Sequence, residues 1–271
     1  MSSKSDLVSI VIPCYNSAKT IKRMLQTVLA QSYSEIEVII VNDGSTDNTV
    51  KIVQEMDDPR IRIIEKENGG VSTARNTGID AAKGNYIMFF DDDDRIDELM
   101  VEKMLAQIKK TPDALVVCGK MIGKKAVSVV KNTTITGDLA KHVITSILKS
   151  GHLYSPCNKI YNLSIIKEHN IRFVKEAKFG EDLIFNFDYL KHVKSIYYLK
   201  DCLYYYDQTT DGESFHTKAE FKYRIMMLEH LRSFLGDNIK KPDVALKYNM
   251  IHLRWLISTK RAKRKLNKRH E

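Results

Sequence analysis

The sequence predicts an α/β fold: a mostly parallel sheet with helices on both faces, followed by a helical C-terminal extension. Two observations carry this expectation. Over the first 120 residues, short apolar runs alternate with stretches of helical periodicity. The runs are apolar at nearly every position instead of at every second one, as expected of strands buried on both faces.

The elements follow in order. Leu7 to Ile12 reads as a buried strand stopped by Pro13, and Ile21, Leu25, Val28 and Leu29 then recur at helical spacing with Asn16 or Ser17 as cap. Val38 to Val41 is a second strand, Thr46 to Met56 a helix and Arg60 to Glu65 a third strand. Val71 to Lys83 reads as a helix stopped by Gly84 in left-handed geometry, and Tyr86 to Phe90 as a fourth strand. Asp97 to Lys109 is helical and Ala114 to Cys118 a fifth strand. Beyond 120 the order loosens: a strand at Ala126 to Lys131, helices at Asp138 to Ser150 and Glu181 to Val193, and short strands at Ser195 to Leu199 and Leu203 to Tyr206. Ala219 to Phe234 and Asp243 to about Ser258 read as two closing helices. The expected division is 1–120, 121–207 and 208–271.

A chain of 271 residues with 43% hydrophobic content supports one large domain, or a core domain with an appendage. Its net charge of +9 points to an anionic partner. Cys14, Cys118, Cys157 and Cys202 lack metal-finger or redox spacing and read as reduced buried thiols. Leu7 to Ile12 is too short for a signal-peptide core, and no stretch approaches the roughly 18 apolar residues that span a bilayer. A cytoplasmic location is expected, with attachment to the inner face of the membrane as an extension of it.

In doubly wound sheets, ligands bind beyond the carboxyl ends of the strands. The polar motifs fall there. Asp91-Asp92-Asp93-Asp94 follows the apolar fourth strand. Four consecutive carboxylates repel one another, so the run is either fully solvated or holds a cation; Mg²⁺ is typically bound by one or two carboxylates plus substrate phosphates. Pro13-Cys14-Tyr15-Asn16 follows the first strand, Asn42 to Asp47 (N-D-G-S-T-D) the second, and Asn68 to Asn76 (N-G-G-V-S-T-A-R-N) the third.

In this order and spacing, the four segments resemble the family-2 glycosyltransferases of GT-A fold, densely over the first 120 residues and more thinly through Asn158-Lys159 and Gly180-Glu181-Asp182. The resemblance implies an enzyme that moves a hexose or N-acetylhexosamine from a UDP-sugar to a hydroxyl of a glycan, glycolipid or polymer. It implies inversion at the anomeric carbon and dependence on Mn²⁺ or Mg²⁺, in bacterial envelope or capsular polysaccharide synthesis. Pro13, Tyr15, Asn16, Asp43, Asn68, Arg75, Asp91 and Asp92 would contact the nucleotide-sugar, Asp93 the metal, and Asp182 would be the general base. Arg75 has a second reading: its guanidinium pairs with an acidic neighbour and neutralises the Asp91–Asp94 run. Tyr154, Tyr161, Phe173 and Phe179 either shape the acceptor cleft or fill the core. Asp207 follows Tyr204-Tyr205-Tyr206 where relatives often carry a basic residue, and His216 is a substitute phosphate contact.

The C-terminus carries Arg254, Lys260, Arg261, Lys263, Arg264, Lys265, Lys268 and Arg269 after the apolar Ile251, Leu253, Trp255, Leu256 and Ile257. An apolar, Trp-bearing segment leading into a polybasic one suits an anionic membrane surface. Charge alone is shared with nucleic-acid binders, but no recognition motif accompanies it and no nucleic-acid partner is expected. Two other readings stand beside the transferase: a catalytically silent nucleotide-sugar or glycan-binding module, and a sugar-phosphate nucleotidyltransferase. The second would call for a glycine-rich phosphate loop after the first strand, where this chain has Pro13-Cys14-Tyr15-Asn16.

Overall fold

The computed structural model describes residues 6–149, 152–207 and 221–267, with backbone alone at 221 and 256–267. Its centre is one ten-stranded sheet. Strands β1 (Val8–Cys14), β2 (Ile36–Asn42), β3 (Ile61–Glu65) and β4 (Tyr86–Phe89) run parallel in the order β3-β2-β1-β4. Then β9 (Lys159–Asn162) is inserted antiparallel between β4 and β6 (Ala114–Ile122). Beyond β6 lies β10 (Ser195–Tyr206), parallel to it, and antiparallel β5 (Arg95–Ile96) closes the edge. The short β7 (Lys125–Val127) and β8 (Thr133–Ile135) pair with β6 and β10.

Two apolar cores explain why the strands are apolar at consecutive positions. On one face Val8, Ile10, Ile12, Val38 and Ile40 pack on Met24, Leu25 and Val28 of α1 (Ile21–Leu29) and on Met100 and Met104 of α4 (Met100–Lys110). On the other face Val11, Ile39 and Val41 meet Ala74 and Ile79 of α3 (Val71–Ala81). The same core holds α5 (Leu139–Lys149), α7 (Glu181–Leu190), α8 (Phe221–Leu235) and the start of α9 (Pro242–Asn267). Two short helices, α2 (Thr49–Gln54) and α6 (Leu163–Glu168), lie between these elements. Gly78 lets α3 lie directly on β1, because a Cβ there would overlap Val11 Cγ1.

Several expectations change. Gly84 does not stop α3 in left-handed geometry. It is absent from the positive-φ glycines, and its role is close approach, since a Cβ would sit 2.6 Å from the Leu7 carbonyl oxygen. Neither Asn16 nor Ser17 caps α1; Thr20 occupies that position, and the Ser17 carbonyl accepts the Thr20 and Ile21 amides. Of the strand expected at 126–131 only the first two residues are extended, in β7, and β8 begins beyond it. The two strands expected at 195–199 and 203–206 are one, β10, whose register against β6 shifts around Cys202. The expected start of the first closing helix at Ala219, the His216 contact and the basic side chains from Lys260 onward lie outside the described residues.

Candidate active site

The loops after β1 and β2 are stitched together. Asn16 sits at φ 53, donates its amide to Ser45 Oγ (2.9 Å) and accepts the Thr46 amide at Oδ1 (2.8 Å). Asp47 accepts the Ala18 amide (3.1 Å) and Asn42 accepts the Ser45 amide (3.0 Å). Asn16 therefore positions a turn; it does not line the pocket that this turn borders.

Asp43, at the end of β2, braces the loop before α3. Its Oδ1 accepts Lys66 Nζ (2.5 Å) and the Gly69 amide (3.0 Å), and its Oδ2 accepts the Gly70 amide (2.7 Å). A carboxylate offers about four acceptor positions, so one on Oδ2 is left. Asn68 stays exposed on this loop, its backbone against Gly44, outside the pocket lining.

These loops, the start of α3 and the acidic turn enclose a pocket of about 310 Å³. Pro13, Tyr15, Asp43, Val71, Asp91, Asp92, Asp93 and Tyr206 line it. Three of its apolar walls are open to solvent: Tyr15 is 53% exposed, Val71 41% and Tyr206 40%. Large apolar side chains left open around a concave site form a surface for a flat ligand.

The four aspartates divide. Asp94 turns inward, is fully buried, and accepts the Tyr204 hydroxyl and the Asp207 amide (3.0 Å). Burial pushes its carboxyl up to about 8. The other three face the pocket. Burial, with Asp93 and Asp91 beside it, lifts Asp92 to about 6, although Ser17 bonds to it. Burial and Asp91 also raise Asp93, whose carboxylate accepts no hydrogen bond from another described side chain. Among the described residues no three His, Cys, Asp or Glu groups converge as a finished metal cage. The donor set nevertheless fits a hard divalent cation that takes one or two carboxylates and fills its shell from a ligand's phosphates. Such a cation would relieve the mutual repulsion that raises these groups.

Behind the turn, Arg75 is 3% exposed and spans two elements. Its Nη2 donates to Asp91 Oδ1 (2.7 Å) and its Nη1 to Asp182 Oδ1 (2.6 Å), with Glu181 at 3.7 Å. The Phe173 ring lies under the guanidinium at 5.2 Å. Asn76 holds that ring by exchanging two hydrogen bonds with the Phe173 backbone (2.8 and 2.9 Å). The ion pairs of the second reading of Arg75 are present. Burial pushes the Asp182 carboxyl well above the usual carboxylate range, against the pull of Arg75. Asp182 stands in the first turn of α7, which starts from Gly180 in left-handed geometry (φ 81). A Cβ on Gly180 would overlap Met227 of α8.

Asp182 lines a second, larger cleft of about 800 Å³ that meets the small pocket at Asp91 and Tyr206. Tyr154 and Phe179 line this cleft, whereas Tyr161 and Phe173 are core. Asn158 and Lys159 are buried braces: Asn158 donates to the Cys118 carbonyl (2.7 Å), and Lys159 Nζ donates to the carbonyls of His152 (3.0 Å) and Ser155. Asp207 forms ion pairs with Arg95 (3.0 Å) and Arg23 (3.2 Å). Sequence reading did not single out Lys120, Lys125, Lys149 and Lys178, all of which line the large cleft. They come from β6, β7, α5 and the loop before α7, so no local motif marks them.

Comparison with known proteins agrees with this architecture. The chain is 32% identical over 234 residues to the uncharacterized glycosyltransferase EpsJ of Bacillus subtilis, covering 83% of this chain and 67% of EpsJ. It is 31% identical over 233 residues to the poly(ribitol-phosphate) beta-N-acetylglucosaminyltransferase TarS of Staphylococcus aureus, covering 81% of this chain but only 39% of TarS. The crystal structure of TarS 1–349 with UDP-GlcNAc superposes with a TM-score of 0.72 at 24% identity, covering 93% of this chain and 72% of that one. The mannosyltransferase PcManGT of Pyrobaculum calidifontis, solved with GDP-Man and Mn²⁺, gives 0.63 at 17% identity, covering 96% and 74%. At these identities the structures establish a shared GT-A fold. Residues 9–169, more than half of the chain, match the family described as Glycosyl transferase family 2, and the chain belongs to that family as a glycosyltransferase.

Proposed function

We propose that the chain transfers a hexose or N-acetylhexosamine from a UDP-sugar to a hydroxyl of a glycan, glycolipid or polymer acceptor, with inversion and with Mn²⁺ or Mg²⁺. The observation that carries this reading is the junction of two cavities at Asp91 and Tyr206, with Asp182 on the wall of the larger one. The pocket built mainly from 1–120 takes the nucleotide, and the cleft built mainly from 121–207 takes the acceptor, with α9 of the 208–271 extension completing its wall.

In this reading Tyr15 stacks on the base, over the turn that Pro13 and Asn16 shape. The free acceptor position on Asp43 Oδ2 receives the uracil N–H, and Asn68 borders the entrance. Asp91 and Asp92 face the ribose and diphosphate, and Asp93 is the principal metal ligand. When bound, the cation supplies charge neutralisation at the departing diphosphate. The chain's own residues do the rest. Asp182 takes the proton of the acceptor hydroxyl as its oxygen bonds to the anomeric carbon. The bond from that carbon to the diphosphate oxygen breaks, and its electron pair leaves with UDP. A carboxylate whose affinity for a proton is raised by burial is a better base near neutral pH. Arg75 holds Asp182 and Asp91 in fixed relation, so base and donor site move together. One base acting opposite the leaving group yields inversion, unlike paired-carboxylate glycoside hydrolysis. The UDP-GlcNAc and UDP held by TarS structures and the Mn²⁺ held by PcManGT support the donor and metal classes. A donor screen for UDP release, with Mn²⁺ added and withheld, tests the reading; equal release without metal overturns the metal assignment.

Membrane contact belongs to the same proposal. On α9, Val244, Ile251 and Trp255 are buried, while Leu246, Met250 and Leu253 form an exposed stripe at helical spacing on the opposite side. In sequence this stripe runs on to the polybasic stretch that begins at Lys260. Among the described residues no helix is long and apolar enough to cross a membrane.

A further inference from the structure

The large cleft is cationic beyond what its carboxylates require. Asp91, Glu181 and Asp182 lie at one end, and Arg75 already faces all three. Along the remaining walls stand Lys120, Lys125, Lys149, Lys178 and Arg254. The four lysines have no ion pair or hydrogen bond from their ammonium groups among the described residues, and Arg254 spends one nitrogen on the Leu148 carbonyl (3.2 Å). Lys120 is the most telling of them. It is only partly exposed, on β6 between Tyr204 of β10 and Val127 of β7, and burial pulls its ammonium below the usual lysine range. Desolvating a charge without a partner is costly, so such a group is stable in place if a ligand's anion completes it.

We infer that the acceptor carries a phosphate ester close to the hydroxyl that is glycosylated, and that Lys120, supported by Lys125, Lys149 and Lys178, is its specificity-determining contact. The inference rests on the proposed transferase reading of the site and adds the acceptor's chemical class. A neutral glycan would leave the partly buried Lys120 without an anion. A phosphate ester would satisfy them while its neighbouring hydroxyl reaches Asp182 at the other end of the cleft. Ile122, Val127 and Leu148 between the cations suit the carbon backbone of such a ligand.

Trp255 lines this cleft and is the sole tryptophan of the chain, so its fluorescence reports occupancy without any need for turnover. The full chain is titrated with sn-glycerol 3-phosphate, with dihexanoyl phosphatidylglycerol and with glycerol. The expected result is a fluorescence change with one or both phosphate esters at a Kd about tenfold or more below that of glycerol. A response to glycerol 3-phosphate assigns a polyol-phosphate source, and a response confined to the lipid assigns a headgroup. Lys120→Met is expected to abolish the preference. Lys178→Ala, on an exposed side chain that folding does not depend on, is expected to weaken it severalfold. Equal affinity for all three probes, or unaltered binding in both variants, overturns the inference. Calorimetry with UDP and Mn²⁺ on the same samples separates the two readings: loss of nucleotide binding with phosphate-ester binding intact sinks the donor site and leaves the acceptor class standing.

Discussion

Arg75 bonds Asp91 at 2.7 Å and Asp182 at 2.6 Å with the two arms of one guanidinium, reaching an acid 107 positions along the sequence and tying it to Asp91 across the boundary between two cavities. This makes the arginine part of the site's skeleton. Removing it leaves buried carboxylates without their cation. Arg75→Ala is expected to cost about 3–5 kcal/mol in denaturant unfolding. Arg75→Lys keeps the charge but loses the fork; it should fold and still lower turnover about 100-fold through misplaced Asp182. A lysine variant with unchanged turnover would show that the fork does not position the base.

Close packing of α3 on β1 makes a second prediction. Gly78→Ala drives a methyl group into Val11 and is expected to destabilise the fold by about 1–3 kcal/mol. Adding Val11→Ala should recover part of that loss. Thermal melts of the single and double variants test it, and strictly additive losses would contradict it.

Asp188 gives a pH-dependent prediction far from the aspartate turn. Burial pushes its carboxyl up, but hydrogen bonds from His230 of α8 and from Lys191, just past α7, outweigh this and hold it below its usual value. A lowered folded pKa means that the stabilisation is complete above the unfolded value near 3.9 and disappears as pH falls through the folded one. Asp188→Asn is therefore expected to lower stability by about 1 kcal/mol at pH 7, with the difference vanishing in strong acid. Parallel unfolding titrations at pH 7 and in acid measure it; a difference that grows on acidification would reverse the sign.

The α9 stripe supplies a fourth. Leu253 is exposed, and Leu253→Asp is expected to leave the melting temperature unchanged while reducing sedimentation with phosphatidylglycerol vesicles severalfold. Vesicle binding equal to that of the parent chain would remove the stripe from the membrane proposal.

Much of the site could be read from sequence because its loops directly follow buried strands: an apolar run that stops at Pro13, Asn42 or Asp91 marks the sheet's binding edge without further information. What could not be read depends on pairing across the chain. The β9 strand has four residues and is sandwiched antiparallel, so neither length nor alternation announced it. The gap left between Leu199 and Leu203 is bridged in the structure, where β10 runs through it with a register shift beside β6. Asp94 stood in the acidic run without a role of its own, and its inward turn depends on the Tyr204 hydroxyl from a distant strand. Arg75 had two readings in sequence, and the ion pairs of the second need Asp182, which only the fold brings beside it.

The central claim is that Asp93 holds a cation for the departing diphosphate whereas Asp182 acts only on the acceptor. Calorimetric titration of UDP with and without Mn²⁺ into the parent chain, Asp93→Asn and Asp182→Asn tests it most directly. The account predicts Mn²⁺-dependent UDP binding in the parent, its loss in Asp93→Asn, and its retention in Asp182→Asn, whose UDP release in turnover falls by about 10²-fold or more. Undiminished Mn²⁺-dependent binding in Asp93→Asn would contradict it.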